Sequence, residues 1–233
     1  MEIRWRSSNN KFSMARQIAV GIDIGTSETK VIIAQGLEQE GHFVPKIIGT
    51  GTADTRGMER GFITSIEEAS ESVRMAVEKA EKTANVKVRR AYVSFGGIGL
   101  SSLISSGSTA ITRADLEITE RDVALALEAA EQAIPKAVSL NKRIINTIPT
   151  EYKIDGKVSW GEPVGLKAQK LEVKALFITC LEHHLADLIK TVEAAGIEVI
   201  DVVAAPVAAS FVTVGKKQRR VGALLANIGA ETL

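Results

Sequence analysis

An α/β sandwich carrying a small α+β insertion is the fold class predicted for this 233-residue chain. Three observations predict it. Apolar β-rich runs alternate with amphipathic helical stretches, as a sheet covered by helices requires. Polar, glycine-containing turns of one form, DIGTSET at Asp23 and NIGAETL at Asn227, stand near opposite ends of that pattern. Between them, over about 97–170, the texture changes to short, Ser-rich, β-prone segments around one helix.

Residues 18–22 and 31–34 are apolar runs separated by DIGTSETK, which reads as a hairpin, and KIIGTGTA from Lys46 adds a third strand. In SIEEASESVRMAVEKAEKTA, Ser65 and Glu68 have capping-box spacing, in which each side chain satisfies the other residue's free backbone amide. Ile66, Ala69, Val73, Ala76, Val77 and Ala80 then recur at helical period and make one apolar face. RRAYVSFGG from Arg89 supplies the next strand. Within the insertion, SSLISSGSTAIT is expected to be extended, Thr119 opens the helix of ERDVALALEAAEQA, and Pro135 marks its end. KRIINTIPTEYKIDG and LKAQKLEVKALFIT read as strands about a loop containing Gly156, Gly161 and Pro163. Thr179 and Glu182 repeat the capping-box spacing ahead of the stripe Leu185, Leu188, Ile189 and Val192, and Gly196 closes that helix. A strand EVIDVVA, a short helix over 205–214 and a strand RVGALLANIG complete the order.

Composition excludes several classes. Lys and Arg total 29 against 28 for Asp and Glu, so no charge excess points to nucleic acid or an anionic membrane surface. No apolar run reaches the roughly 18 residues of a membrane span, and the first residues lack the apolar core of a signal peptide. The single Cys180 has no disulfide partner within the chain and suits a reducing compartment, so the expected location is cytoplasmic. Residues 1–17 are expected to be a disordered leader, with Met14 as an alternative start.

The first turn carries the chemistry. Gly25 lets backbone amides approach a ligand, Thr26, Ser27 and Thr29 add hydroxyls, and Asp23 suits hydrated magnesium. These are the parts of a polyphosphate site, although turns of this composition also occur for conformational reasons alone. Other polar features read as structural. RGMERG between Arg56 and Gly61 is a solvated turn, KKQRR over 216–220 an exposed loop, Cys180 a buried thiol, and adjacent His183 and His184 a solvated pair.

DIGTSETK resembles the first phosphate loop of the actin-like ATPases. GTGTADTRGMERGFITSIEEASESVRMAVEKAE, IPTEYKIDG, VGLKAQKLEVKALFIT and AAGIEVIDVVAAPVAAS resemble the FtsA family of bacterial cell-division proteins, in that family's order from Ile18 onward. The resemblance implies an actin-like, ribonuclease H-like core subdomain over 18–94 and 179–233, with an inserted FtsA-type subdomain over 95–178. It also implies ATP as ligand, held by Gly25, Thr26, Ser27 and Lys30 on one side and Asn227 and Gly229 on the other, with Mg2+ near Asp23. Partners implied are FtsZ and other division proteins, with self-association through the insertion, at the cytoplasmic face of the inner membrane. Asn227 stands where the family's second phosphate loop commonly begins with Asp, so the expected ATPase activity is weak or absent. The family continues for a similar length again, through an FtsZ-binding subdomain and a membrane helix, and the expectation is of a truncated form. Runner-up readings are a PilM-like pilus adaptor, a sugar or acid kinase of the same superfold, and an interaction module without nucleotide activity. RGM and IPTEY favour cell division over the pilus, and no catalytic base for a kinase is signalled.

Overall fold

The computed structural model describes residues 18–39 and 42–232, so the expected leader over 1–17 lies outside the described residues. The described residues divide into two compact units: Ser101–Cys180 forms one, and those of 18–100 and 181–232 form the other.

The larger unit begins with β1 (Ile18–Ile24), β2 (Glu28–Gln39) and β3 (His42–Asp54), an antiparallel meander. A short hairpin of β4 (Met58–Glu59) and β5 (Phe62–Ile63) leads into α1 (Ile66–Ala84) and then β6 (Arg90–Phe95). The smaller unit holds β7 (Leu100–Ala110), α2 (Glu120–Gln132), α3 (Lys136–Ser139), β8 (Lys142–Ile154), β9 (Lys157–Ser159) and β10 (Lys170–Leu181). The chain returns to the larger unit through α4 (Glu182–Ala194), β11 (Glu198–Ala204), α5 (Ala205–Thr213) and α6 (Lys216–Val221).

The larger sheet has the order β11-β6-β1-β2-β3. β6 runs parallel to both β1 and β11, so three parallel strands adjoin the antiparallel meander. Strict alternation in β1 buries Val20, Ile22 and Ile24 and turns Gly21 and Asp23 to the open side, as a sheet covered on one face requires. α1 covers β2 and β3 with Ala69, Val73, Ala76 and Ala80, all buried. Ser65 caps it, accepting from the Glu68 amide at 3.3 Å, and Asn85 ends it in the left-handed conformation at φ 52°. The helix lies so close to β3 that a Cβ on Gly51 would stand 2.0 Å from the Ala76 carbonyl oxygen. Helix and sheet can meet at that distance only because the strand carries glycine there.

The smaller sheet has the order β7-β10-β8-β9. Leu171, Val173, Ala175 and Phe177 on alternate positions of β10 pack with Ala126 and Ala130 of α2 and with Ile118. The same device recurs: a Cβ on Gly107 of β7 would lie 2.1 Å from the Ala130 nitrogen. Thr119 opens α2 with Asp122 as its reciprocal partner. The Asp122 carboxylate accepts from the Thr119 amide at 2.8 Å, the Thr119 hydroxyl at 2.6 Å and the Arg113 guanidinium at 3.2 Å.

Three expectations are corrected. Thr179 does not cap α4: it sits inside β10, buried, with its hydroxyl 2.8 Å from that of Ser101. β10, a neighbour of β7 in its sheet, continues to Leu181 and claims a β-branched residue that suits a buried strand position. KKQRR is not a loop, because α6 holds it and Arg219 donates to the Val214 carbonyl at 2.9 Å and the Ser210 carbonyl at 3.2 Å, closing the end of α5. RVGALLANIG forms no strand. A strand needs a neighbour, and α6 consumes its start while 222–232 joins no sheet, leaving Leu224 97% and Ile228 80% exposed.

Cys180 is fully buried in β10, as a structural thiol should be, and burial pushes its pKa up to about 11 despite the opposing charge of Arg143. Iodoacetamide at pH 8 should therefore label it at least about tenfold more slowly in the native chain than in urea. Equal rates would show that the thiol is accessible. No helix among the described residues is long and apolar enough to cross a membrane.

Candidate functional site

The carboxyl ends of the three parallel strands of the larger unit meet at one cavity of about 420 Å3. β1 delivers Asp23 and Ile24 and then the turn Gly25, Thr26 and Ser27; β6 delivers Gly96 and Gly97; β11 delivers Ala205, the first residue of α5. This is the place where open α/β sheets bind ligands, because strands end there and loops and helix N-termini begin. Glu28 and Lys30 of β2, Met58 and Gly61 of the β4–β5 hairpin, and 227–230 with Thr232 complete the wall.

The two polar turns share a backbone closure. The Gly25 amide donates to the Glu28 carbonyl at 3.1 Å, and the Gly229 amide donates to the Thr232 carbonyl at 2.8 Å. The second turn keeps this form although the strand expected before it is missing. All seven residues proposed from sequence, namely Asp23, Gly25, Thr26, Ser27, Lys30, Asn227 and Gly229, line the same cavity. Thr29 does not join them. It is fully buried, and its hydroxyl lies 2.8 Å from that of Thr55, so it braces β2 from the inside.

Asp23 stands opposite Ser94 in the parallel register of β1 and β6, and the Ser94 hydroxyl donates to its carboxylate. That bond orients the carboxylate of a residue lining the cavity and leaves acceptor capacity for a ligand. Lys30 lies opposite Asp23 across the hairpin, with its ammonium 3.5 Å from the Glu28 carboxylate. Both are solvated, so the pair contributes little energy and leaves Lys30 available to an incoming anion. Among the described residues, no group of three or more His, Cys, Asp or Glu side chains is placed to hold a bare metal ion.

Sequence reading missed part of the wall. A Cβ on Gly61 would lie 3.1 Å from the Gly97 Cα, so two glycines, at φ 81° and 102°, let the β4–β5 hairpin touch the end of β6. The Gly-Gly pair after the apolar run of β6 was the available signal. His184 was misread as half of a solvated pair. Its ring packs 4.1 Å from that of Phe62, its Nδ1 is buried, and burial together with the neighbouring His183 holds its pKa below the usual histidine value, Asp187 opposing.

Residues 97–179 match the profile of the SHS2 domain inserted in FtsA. Over 216 residues, 93% of this chain, it is 29% identical to the cell division protein FtsA of Pseudomonas aeruginosa, covering 50% of that protein. With FtsA of Bacillus subtilis it shares 31% identity over 213 residues, 91% of this chain and 47% of the relative. The chain is FtsA-like.

This FtsA-like chain spans about half the length of the curated relatives it matches. Its fold is actin-like with the small FtsA-type α+β insertion. A solved chain of the PilM-PilN type IV pilus biogenesis complex superimposes with a TM-score of 0.51 over 84% of the FtsA-like chain and 50% of that chain. At 15% identity that likeness is one of fold.

Proposed function

We propose that the larger unit of this FtsA-like chain holds ATP with Mg2+ between its two turns, as part of an actin-like scaffold of cell division. The observation that carries the reading is the convergence of two turns of identical backbone closure on the carboxyl ends of three parallel strands. The donor set fits a polyphosphate. Glycines at 25, 61, 97 and 229 clear side-chain bulk from the rim, Thr26 and Ser27 offer hydroxyls, and Lys30 offers a charge. Asp23 supplies one carboxylate, enough for a magnesium ion that keeps several waters and takes its remaining ligands from phosphates.

ATP with magnesium would bring a transferable phosphoryl group, and the residues present favour holding it over transferring it. Asn227 accepts and donates hydrogen bonds but brings no negative charge to polarise a water, so hydrolysis is weak at most. The role proposed is therefore that of a nucleotide-governed adaptor. Its partners are FtsZ and other division proteins, its place is the cytoplasmic face of the inner membrane at the division site, and the inserted subdomain over 95–178 serves self-association or recruitment. The core subdomain proposed runs over 18–94 and 179–233.

Titration calorimetry of the full chain with Mg-ATP tests the reading. Saturable binding is expected, weakened about tenfold or more in Asp23→Ala, which corresponds to at least ~1.4 kcal/mol. No binding by the unmodified chain, or equal binding by Asp23→Ala, would defeat it. Transfer of phosphate to small hydroxylated substrates would favour a kinase instead.

A further inference from the structure

The hairpin of β4 and β5 turns within two residues, Arg60 and Gly61, both left-handed at φ 48° and 81°. Such a type I′ loop follows the twist of its strands and leaves the amide of its first residue outside the two-strand ladder. That free amide is taken. The Glu231 carboxylate accepts from the Arg60 N–H at 2.7 Å, joining positions 171 residues apart. Gly61 runs close to the same turn: a Cβ added to it would stand 3.7 Å from the Thr232 methyl group.

Glu231 belongs to the second polar turn, which lies in the 222–232 segment that joins no sheet. A turn without a strand has no ladder to fix its position, and its own Gly229 to Thr232 bond fixes only its internal shape. Met58 and Gly61 of the hairpin and Asn227, Gly229 and Ala230 of the turn line one cavity, so the two pieces must keep a constant spacing for that cavity to persist. We infer that Glu231 is the positioning residue that fastens the second turn to the β4–β5 hairpin. One of its carboxylate oxygens accepts from a backbone amide, which holds the Asn227 and Gly229 backbone at the rim, while Glu231 itself stands outside the cavity lining that Asp23 belongs to. The consequence for ligand affinity rests on the nucleotide reading above; the fastening itself does not.

Amide hydrogen exchange on the full 233-residue chain, without nucleotide, tests the inference in Glu231→Ala and Glu231→Gln. Glu231 is exposed, so neither change removes core packing. Exchange at the Arg60 amide should quicken about tenfold or more in Glu231→Ala, while Glu231→Gln, whose amide oxygen still accepts, should stay within about threefold of the unmodified chain. Unchanged Arg60 exchange in Glu231→Ala overturns the inference. So does a uniform rise across the whole larger unit, which would mark a general stability effect. A parallel Mg-ATP titration separates the two proposals: if the unmodified chain does not bind, the nucleotide reading fails while the exchange result still decides the role of Glu231.

Discussion

Replacing Gly51 with alanine is expected to cost about 3 kcal/mol of folding stability, read from the urea midpoint of the larger unit. The new Cβ would lie 2.0 Å from the Ala76 carbonyl oxygen and 2.6 Å from the Ala80 nitrogen, both backbone atoms of α1. Backbone cannot rotate away as a flexible side chain can, so the helix itself must lift from β3. Lifting it loosens Val73, Ala76 and Ala80, which are buried to 0% exposure, along that face. Strand propensity favours alanine over glycine by about 0.5–1 kcal/mol, too little to offset the collision. Gly21 supplies the control, since a Cβ there meets nothing within 4 Å. Gly21→Ala should cost no stability and add at most about 1 kcal/mol. Similar losses in the two variants would mean that α1 and β3 are not packed as closely as described.

Asp122→Ala is the second large effect, with an expected loss of about 2 kcal/mol confined to the smaller unit. The substitution removes the acceptor of the Thr119 amide and hydroxyl and takes the Asp122 carboxylate from the Arg113 guanidinium, which keeps the Thr119 hydroxyl and Asp115. Burial alone would raise the Asp122 pKa. The hydrogen bonds from Thr119, hydroxyl and amide, followed by the charge and hydrogen bond of Arg113, outweigh burial and hold the carboxyl below its ordinary value. A carboxyl depressed in the folded state stabilises above its unfolded pKa and loses that contribution as pH falls through the folded one. The difference between the unmodified chain and Asp122→Ala should thus be full at neutral pH and shrink progressively below about pH 3.9. Hydrogen exchange of the α2 amides, measured at pH 7 and again in acid, reads both effects. Asp122→Asn should fall between the two, because its oxygen still accepts from the Thr119 amide but carries no charge for Arg113. A difference that persists undiminished in acid would remove the ionised carboxylate from the account.

Much of the fold follows from local rules that a sequence displays. The Ser65 cap, the apolar face of α1, the hairpin around Gly25 and the close of α4 at Gly196 each depend on residues within a few positions of one another. Thr179 shows the limit of that kind of reading. Its spacing to Glu182 satisfies a capping rule, yet the cross-strand hydrogen bond to Ser101, 78 positions away, keeps it in β10. RVGALLANIG has strand-like composition and no strand to pair with, and composition carries no information about the supply of partners. His184 looked solvated because adjacent histidines point apart; it is Phe62 of the β4–β5 hairpin that covers one of them.

The chemistry of the site divides in the same way. Sequence alone determined which groups are available: a carboxylate at Asp23, hydroxyls at Thr26 and Ser27, glycines where backbone must approach, and an uncharged Asn227 in the second turn. Their type and spacing are covalent facts, and they suffice to name phosphate chemistry as a candidate. Only the tertiary structure decided that both turns, separated by about two hundred residues, share one cavity, that Thr29 faces inward, and that Ser94 and Gly97 arrive from β6. Those outcomes depend on the parallel pairing of β1, β6 and β11. That pairing is set by long-range burial and ladder hydrogen bonds, which no window of neighbouring residues contains.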